Sequence, residues 1–210
     1  LHLGRVMEEI GLDPAESSVR LMLVGGEPGT GVKNTRDRLQ GLWGATMAEF
    51  YGCTEASPHC GGYSCPASEA ADGTISTHLM EDIQIWELVD PETNEIVEEG
   101  ERGLTVCTNL NSESSPQLRF LVGDYTTFNK ERCDCGRTHV RAVGSFSGRA
   151  DDLINLRGIK MYPVQIEEAV RSVPGIGDEY EVVLSTNAEG LDIMSVRVEH
   201  EMDVGAAVQD

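Results

Sequence analysis

Gly148–Glu167 reads GRADDLINLRGIKMYPVQIE, and the order of its residues announces a small independent unit. Leu153–Asn155 and Lys160–Tyr162 flank Arg157-Gly158, the pattern of two short strands around a tight turn. Pro163 suits the first turn of a helix, and Val164–Val173 keeps helical spacing until Pro174-Gly175 stops it. Tyr180–Ser185 and Ile193–Glu199 follow as two further strands, giving a β-α-β-β unit in which the first β is the pair of short strands.

Upstream the pattern belongs to a larger α/β body. Residues 1–12 read as an amphipathic helix that opens in mid-pattern, and Pro14–Ser18 as a connecting loop. Val19–Val24 is an apolar strand that runs into GGEPGT, whose glycines and proline forbid a regular element. Val32–Leu42 has helical spacing and Thr46–Phe50 is the next strand, so strand, helix and strand predict parallel α/β layering. Cys53–Thr77 turns to Gly, Pro, Ser and Cys and reads as a loop-rich insertion. Gln84–Val89, Ile96–Val97 and Gly103–Thr108 are β structure, with a turn at Asp90–Asn94. Leu118–Val122 is a strand expected to end at Gly123-Asp124, and Arg132–His139 is a tight cysteine-bearing knuckle. The fold class is therefore α/β (α+β), with a large body over 1–148 and a small mobile subdomain over 149–210.

The chain of 210 residues carries 36 acidic and 16 basic side chains, a net charge of −20. A field of that sign repels nucleic acid and anionic membranes. It fits a high-salt cytosol and an ordinary acidic cytosol equally. No apolar run is long enough to span a bilayer, and the N-terminus has no signal-peptide pattern, so a cytoplasmic location is expected. The six cysteines, without a secretory segment and with a Cys-x-Cys pair too tight for a mutual bridge, read as reduced thiols, some of them binding metal. Cys133-x-Cys135-Gly136 is a compact chelating turn that needs two more ligands for tetrahedral zinc. Cys53 and Cys107 read as packing residues, as do Trp43 and Trp86, and His139 and His200 as ordinary surface residues.

Ligands in α/β sheets are held where strands run into polar, Gly-rich turns. Four segments have that form: GGEP at Gly25–Pro28, EFYGCTEA at Glu49–Ala56, RFLVGDY at Arg119–Tyr125, and GRADDLINLRG at Gly148–Gly158. A nucleoside triphosphate needs an aromatic face, phosphate donors, a carboxylate for magnesium and another for the ribose hydroxyls. Tyr51, Thr54, Glu55 and Asp124 are residues of those types. Each motif alone is more often a plain turn or a solvated corner than a site.

Taken in order, the four segments resemble the adenylate-forming acyl-CoA ligases, and most closely the phenylacetate-CoA ligase branch, from about Leu12 to about Val198. The resemblance implies that Gly26, Glu27 and Pro28 line an adenine pocket with Tyr51 stacking on the base. It also implies that Thr54 touches the α-phosphate, Glu55 holds magnesium, and Asp124 grips the ribose with help from Arg149. Asp151 matches the hinge, and Gly158 lies in the loop that enters the site for the second half-reaction. The implied reaction joins a small-molecule carboxylic acid, such as an aryl acid, to coenzyme A through an acyl-adenylate, using ATP and releasing AMP and pyrophosphate.

Relatives with a similar Cys…His pair bind zinc, which implies the set Cys65, His78, Cys133 and Cys135, with Cys60 and His59 as rivals. The family's phosphate loop and much of its acid pocket lie upstream of these residues, and its catalytic lysine lies beyond Asp210. The resemblance therefore implies part of a longer enzyme, inactive alone, and exposed sheet edges that favour a homodimer. Val122 stands where many relatives have threonine. Two other readings stay open: adenylyl transfer to another acceptor such as a deazaflavin cofactor, and a non-catalytic nucleotide- or zinc-binding module.

Overall fold

The computed structural model describes residues 1–26, 33–56, 61–71 and 73–200. They form two compact units, a larger one within His2–Asp151 and a smaller one that begins at Asp152 and takes in Leu1. In the larger unit, helix α1 (His2–Glu9) precedes strand β1 (Leu21–Val24), helix α2 (Lys33–Trp43) and strand β2 (Thr46–Tyr51). β1 and β2 are parallel, Leu21 facing Thr46 and Val24 facing Glu49, with α2 as the crossover. Gln40 on α2 accepts the Met47 N–H at 2.9 Å, which ties the helix to the strand it feeds. The buried Arg36 donates to the Gly73 carbonyl at 2.5 Å and pairs with Glu69 at 3.3 Å, so its charge is not left alone in the interior.

Strands β3 (Gly62–Cys65), β4 (Ser76–Leu79), β5 (Gln84–Val89), β6 (Arg102–Asn109), β7 (Phe120–Asn129) and β8 (Arg141–Ala142) extend this pair into one sheet. Its order is β1-β2-β3-β4-β8-β7-β6-β5. Every pairing after β1–β2 is antiparallel, so the parallel layering expected from the first strands stops at one crossover. The core gathers Leu79, Trp86, Leu88, Cys107, Val122 and Phe128, with Leu79 and Cys107 fully buried.

Two expectations need correction. The stretch Cys53–Thr77 is not all loop, since it holds β3 and the start of β4. The run GYSC is too short and small to signal a strand, but β2 on one side and β4 on the other supply its hydrogen-bonding partners. The strand from Leu118 does not end at Gly123-Asp124 either, because β7 runs on to Asn129. Leu121 faces Val106 and Tyr125 faces Leu104, so two extra residues of β7 are accommodated there. Gly123, at φ +88°, makes this bulge without the strain a side chain would bring.

In the smaller unit, β9 (Ile154–Leu156) and β10 (Ile159–Met161) form a hairpin. Its two turn residues, Arg157 and Gly158, have φ of 52° and 88°, the left-handed pair that matches strand twist. Helix α3 (Pro163–Arg171) starts with Gln165 accepting the Tyr162 N–H at 2.8 Å and buries Ile166 and Val170, one turn apart. Strands β11 (Ile176–Thr186) and β12 (Asp192–His200) are antiparallel, and Arg157 donates to the Asp192 carbonyl at 2.6 Å.

Truncating Leu79, the largest of the fully buried side chains, is expected to cost about 2–5 kcal/mol as Leu79→Ala. The exposed Leu118→Ala should stay within about 0.5 kcal/mol. Urea unfolding of both variants, followed by circular dichroism, checks the contrast.

Candidate functional site

Asp124 follows Gly123 on β7 and shares the buried face of Val122, Thr126 and Phe128. Asp124 is buried, and its backbone forms an isolated antiparallel bridge with Arg149, which brings the start of the Gly148–Gly158 segment alongside β7. Its carboxylate accepts the Tyr51 O–H at 2.6 Å and faces the Arg149 guanidinium at 3.4 Å. Its carbonyl accepts from Thr105 Oγ1 at 3.0 Å. Arg149 in turn forks onto Asp151, with Nε to Oδ1 at 2.9 Å and Nη2 to Oδ2 at 3.0 Å. That pairing holds the Asp151 carboxyl below its usual range. Tyr51, Asp124 and the Arg149–Asp151 pair, remote from one another in sequence, thus form one polar chain.

Tyr51 ends β2 and lies stacked on Phe146, with ring centroids 3.4 Å apart and planes 17° apart. Trp86 sits tilted against it at 5.9 Å. Burial first, and then the neighbouring Asp124, push the Tyr51 phenol well above its ordinary value. Beyond Tyr51, Thr54 and Glu55 lie exposed on a turn. That turn is pinned at its far end, where Gln84 Nε2 donates to the Ala56 carbonyl at 2.9 Å and Ala56 is buried. At the end of β1 a Cβ on Gly25 would come within 2.7 Å of the Phe50 carbonyl, so only glycine lets this loop pass so near β2. Gly26 follows with φ +95°, whereas Glu27 and Pro28 lie outside the described residues. Gly158 belongs to the smaller unit, at the β9–β10 turn, where its N–H donates to Asn155 Oδ1 at 3.0 Å.

A second constellation forms across four strands. Cys65 ends β3 opposite Ser76, so His78, two residues further along β4, shares its face as a diagonal neighbour. The knuckle between β7 and β8 returns Cys133 and Cys135 to the same place, because β8 pairs with β4 at His78–Arg141. The ligand atoms of Cys65, His78, Cys133 and Cys135 all lie within 4.8 Å of one another. Cys65 Sγ and Cys133 Sγ are 4.0 Å apart, and Cys135 Sγ is 3.5 Å from His78 Nε2. Zn–S bonds of about 2.3 Å in a tetrahedron give sulfur–sulfur edges of about 3.8 Å, so the donor set fits that ion. His78 Nδ1 lies 3.2 Å from the His139 carbonyl, a contact that places the proton on Nδ1 and leaves Nε2 as a donor pair.

His59 and Cys60 lie outside the described residues. The reading of His139 as a plain surface residue misses both its carbonyl contact and its 3.2 Å approach to Asp82. Neither contact involves a motif, and Phe146 and Gln84 escape a sequence reading for the same reason. Cys53 and Cys107 are free thiols packed in or against the core, and burial pushes Cys107 up to about 12, in keeping with packing roles.

Tyr51 has a folded-state pKa above the unfolded value of about 10. The stabilisation tied to its neutral form is complete below that value and is lost as pH rises through the folded one. Urea midpoints measured from pH 9 to pH 12 should fall, and Tyr51→Phe should fall less steeply; parallel curves would refute this.

Residues 158–210 match the family described as AMP-binding enzyme C-terminal domain. The chain is 35% identical over 198 residues to the phenylacetate-coenzyme A ligase of Thermus thermophilus, covering 94% of this chain and 42% of that protein. Against the Escherichia coli protein of the same name it is 30% identical over 192 residues, covering 91% of the chain and 41% of the relative. A crystal structure of 2-hydroxyisobutyryl-CoA ligase with 2-HIB-AMP superposes with a TM-score of 0.84 at 31% identity, covering 95% of this chain and 41% of that one. The chain thus spans about two fifths of the length of these relatives. They are CoA ligases, which does not favour transfer to a deazaflavin acceptor. The ordered motifs and these matches lead to one conclusion: the chain belongs to the adenylate-forming ligase superfamily, and its smaller unit carries the AMP-binding enzyme C-terminal domain.

Proposed function

We propose that this chain is the nucleotide-handling portion of an AMP-forming carboxylate–CoA ligase. The observation that carries the reading is Asp124, a buried carboxylate on a glycine bulge, met by the Tyr51 hydroxyl and the Arg149 guanidinium. In the first half-reaction a carboxylate oxygen attacks the α-phosphorus of ATP and pyrophosphate leaves; in the second the coenzyme A thiol attacks the acyl carbon and AMP leaves. Asp124 accepts the ribose hydroxyls, Arg149 steadies that carboxylate, and Tyr51 with Gly26, Glu27 and Pro28 receives the base. The Thr54 hydroxyl donates to the α-phosphate as charge grows there. Glu55 would hold magnesium, which supplies positive charge beside the phosphates. Asp151 marks the hinge and Gly158 the loop that serves the thiol step. The T. thermophilus and E. coli relatives are named for phenylacetate, which makes an arylacetic acid the first substrate class to try.

The Cys65, His78, Cys133 and Cys135 set would hold a structural zinc ion with all four positions filled by protein, fastening the β3–β4 region to the knuckle. A net charge of −20 favours neither nucleic acid nor anionic membrane as partner. Among the described residues no helix is long and apolar enough to cross a membrane. A cytoplasmic location and self-association belong to the same reading.

Pyrophosphate release should be measured on a full-length protein carrying this chain, with MgATP and a panel of aryl and aliphatic acids, with and without coenzyme A. Release with one acid, followed by thioester when coenzyme A is added, is the expected result. Asp124→Ala or Glu55→Ala should lower release by about 100-fold or more. Near-normal release in both variants would sink the role assignment, and the 210 residues alone should release none.

Elemental analysis of the same protein should find about one zinc per chain. Cys133→Ser with Cys135→Ser should lose that zinc and lower the melting temperature by several degrees. Full zinc retention in the double variant would refute the ligand set.

A further inference from the structure

The platform assigned to the base is already covered. Phe146 lies over the Tyr51 ring at 3.4 Å and 17°, the geometry and spacing a stacked nucleobase itself would need. Trp86 leans on Tyr51 at 5.9 Å and 52°, and the phenol tip is given to Asp124. Base and Phe146 therefore compete for one ring face.

The backbone that delivers Phe146 is pinned. Ser145 is buried with φ at 58°, left-handed for a residue that is not glycine. Its carbonyl accepts from Thr126 Oγ1 at 2.7 Å, and its own Oγ lies 3.3 Å from Thr77 Oγ1. On the other side the Ser147 N–H donates to the Tyr125 carbonyl at 2.9 Å, and the Tyr125 N–H donates to the Gly148 carbonyl at 2.8 Å. A conformation of this kind persists where surrounding contacts over-determine it, and such positions cluster at ligand clamps. Main-chain bonds on both sides thus fix where the side chain starts, while the half-buried ring keeps its own rotatable bonds.

Resting on the nucleotide-site reading above, we propose that Phe146 covers the stacking face of Tyr51 when no nucleotide is bound and yields that face to the base. Phe146 thereby sets the nucleotide affinity of the site. It is a positioning residue: it keeps Tyr51 aligned toward Asp124, and its displacement is a cost that every incoming nucleotide meets.

AMP binding to a full-length protein carrying this chain tests the proposal by isothermal titration calorimetry. Phe146→Ala should bind AMP about two- to ten-fold more tightly than wild type, the equilibrium equivalent of one aromatic pair. Phe146→Leu should also bind more tightly. With 4-fluorophenylalanine in place of phenylalanine throughout that protein, the resonance missing from Phe146→Leu should shift when AMP saturates the wild type. Unchanged or weaker binding in a Phe146→Ala variant with wild-type circular dichroism overturns the proposal. If Phe146→Ala does not fold, weaker binding by Phe146→Leu or a fluorine resonance that stays still overturns it instead. Wild-type protein that fails to bind AMP would remove the nucleotide-site reading itself, whereas binding in wild type with no gain in either variant removes only the role of Phe146.

Discussion

A carboxylate taken out of water must be answered by donors, and the larger unit is arranged around the answer given to Asp124. The Tyr51 hydroxyl comes from the end of β2, the Arg149 guanidinium from the segment after β8, and the backbone support from Thr105 on β6. None of these groups is near another in sequence. Joined at one residue, they fasten the parallel start of the sheet, its antiparallel end and the start of the Gly148–Gly158 segment together.

Gly123 lets β7 carry that arrangement. The strand alternates its side chains without a break, so Val122, Asp124, Thr126 and Phe128 share its buried face. The bulge adds residues on β7 alone and the strand continues to Asn129, so that β8 and the knuckle can return to β4. The nucleotide-type cluster and the thiol cluster therefore share one strand. β7 carries Asp124 midway and delivers Cys133 and Cys135 just beyond its end.

The thiol cluster answers a different shortage. β3 has four residues, and β8 only two, which is little hydrogen bonding to hold a sheet together. Four ligand atoms from β3, β4 and the knuckle meet over these short strands, with the His139 carbonyl turning the His78 ring toward them. A metal ion there would cross-link the weakest part of the sheet, a purpose for which a closed donor set suffices.

The sequence alone determined the superfamily, the strand–helix–strand opening, the small unit of hairpin, helix and two further strands, and the polar turn that follows β2. Those features are local: glycines, prolines and alternating apolar residues act over a few positions, and an ordered series of motifs is hard to meet by chance. It also named the four metal-type ligands, although the Cys-x-Cys turn was legible in itself and Cys65 and His78 rested on resemblance. Tertiary structure alone decided that β7 passes through Gly123, that GYSC is a strand, that His139 serves through its carbonyl, and that Phe146 lies on Tyr51. Each of these depends on a partner far away in the chain, and a short run of residues carries no record of the partner that will satisfy its backbone or cover its ring.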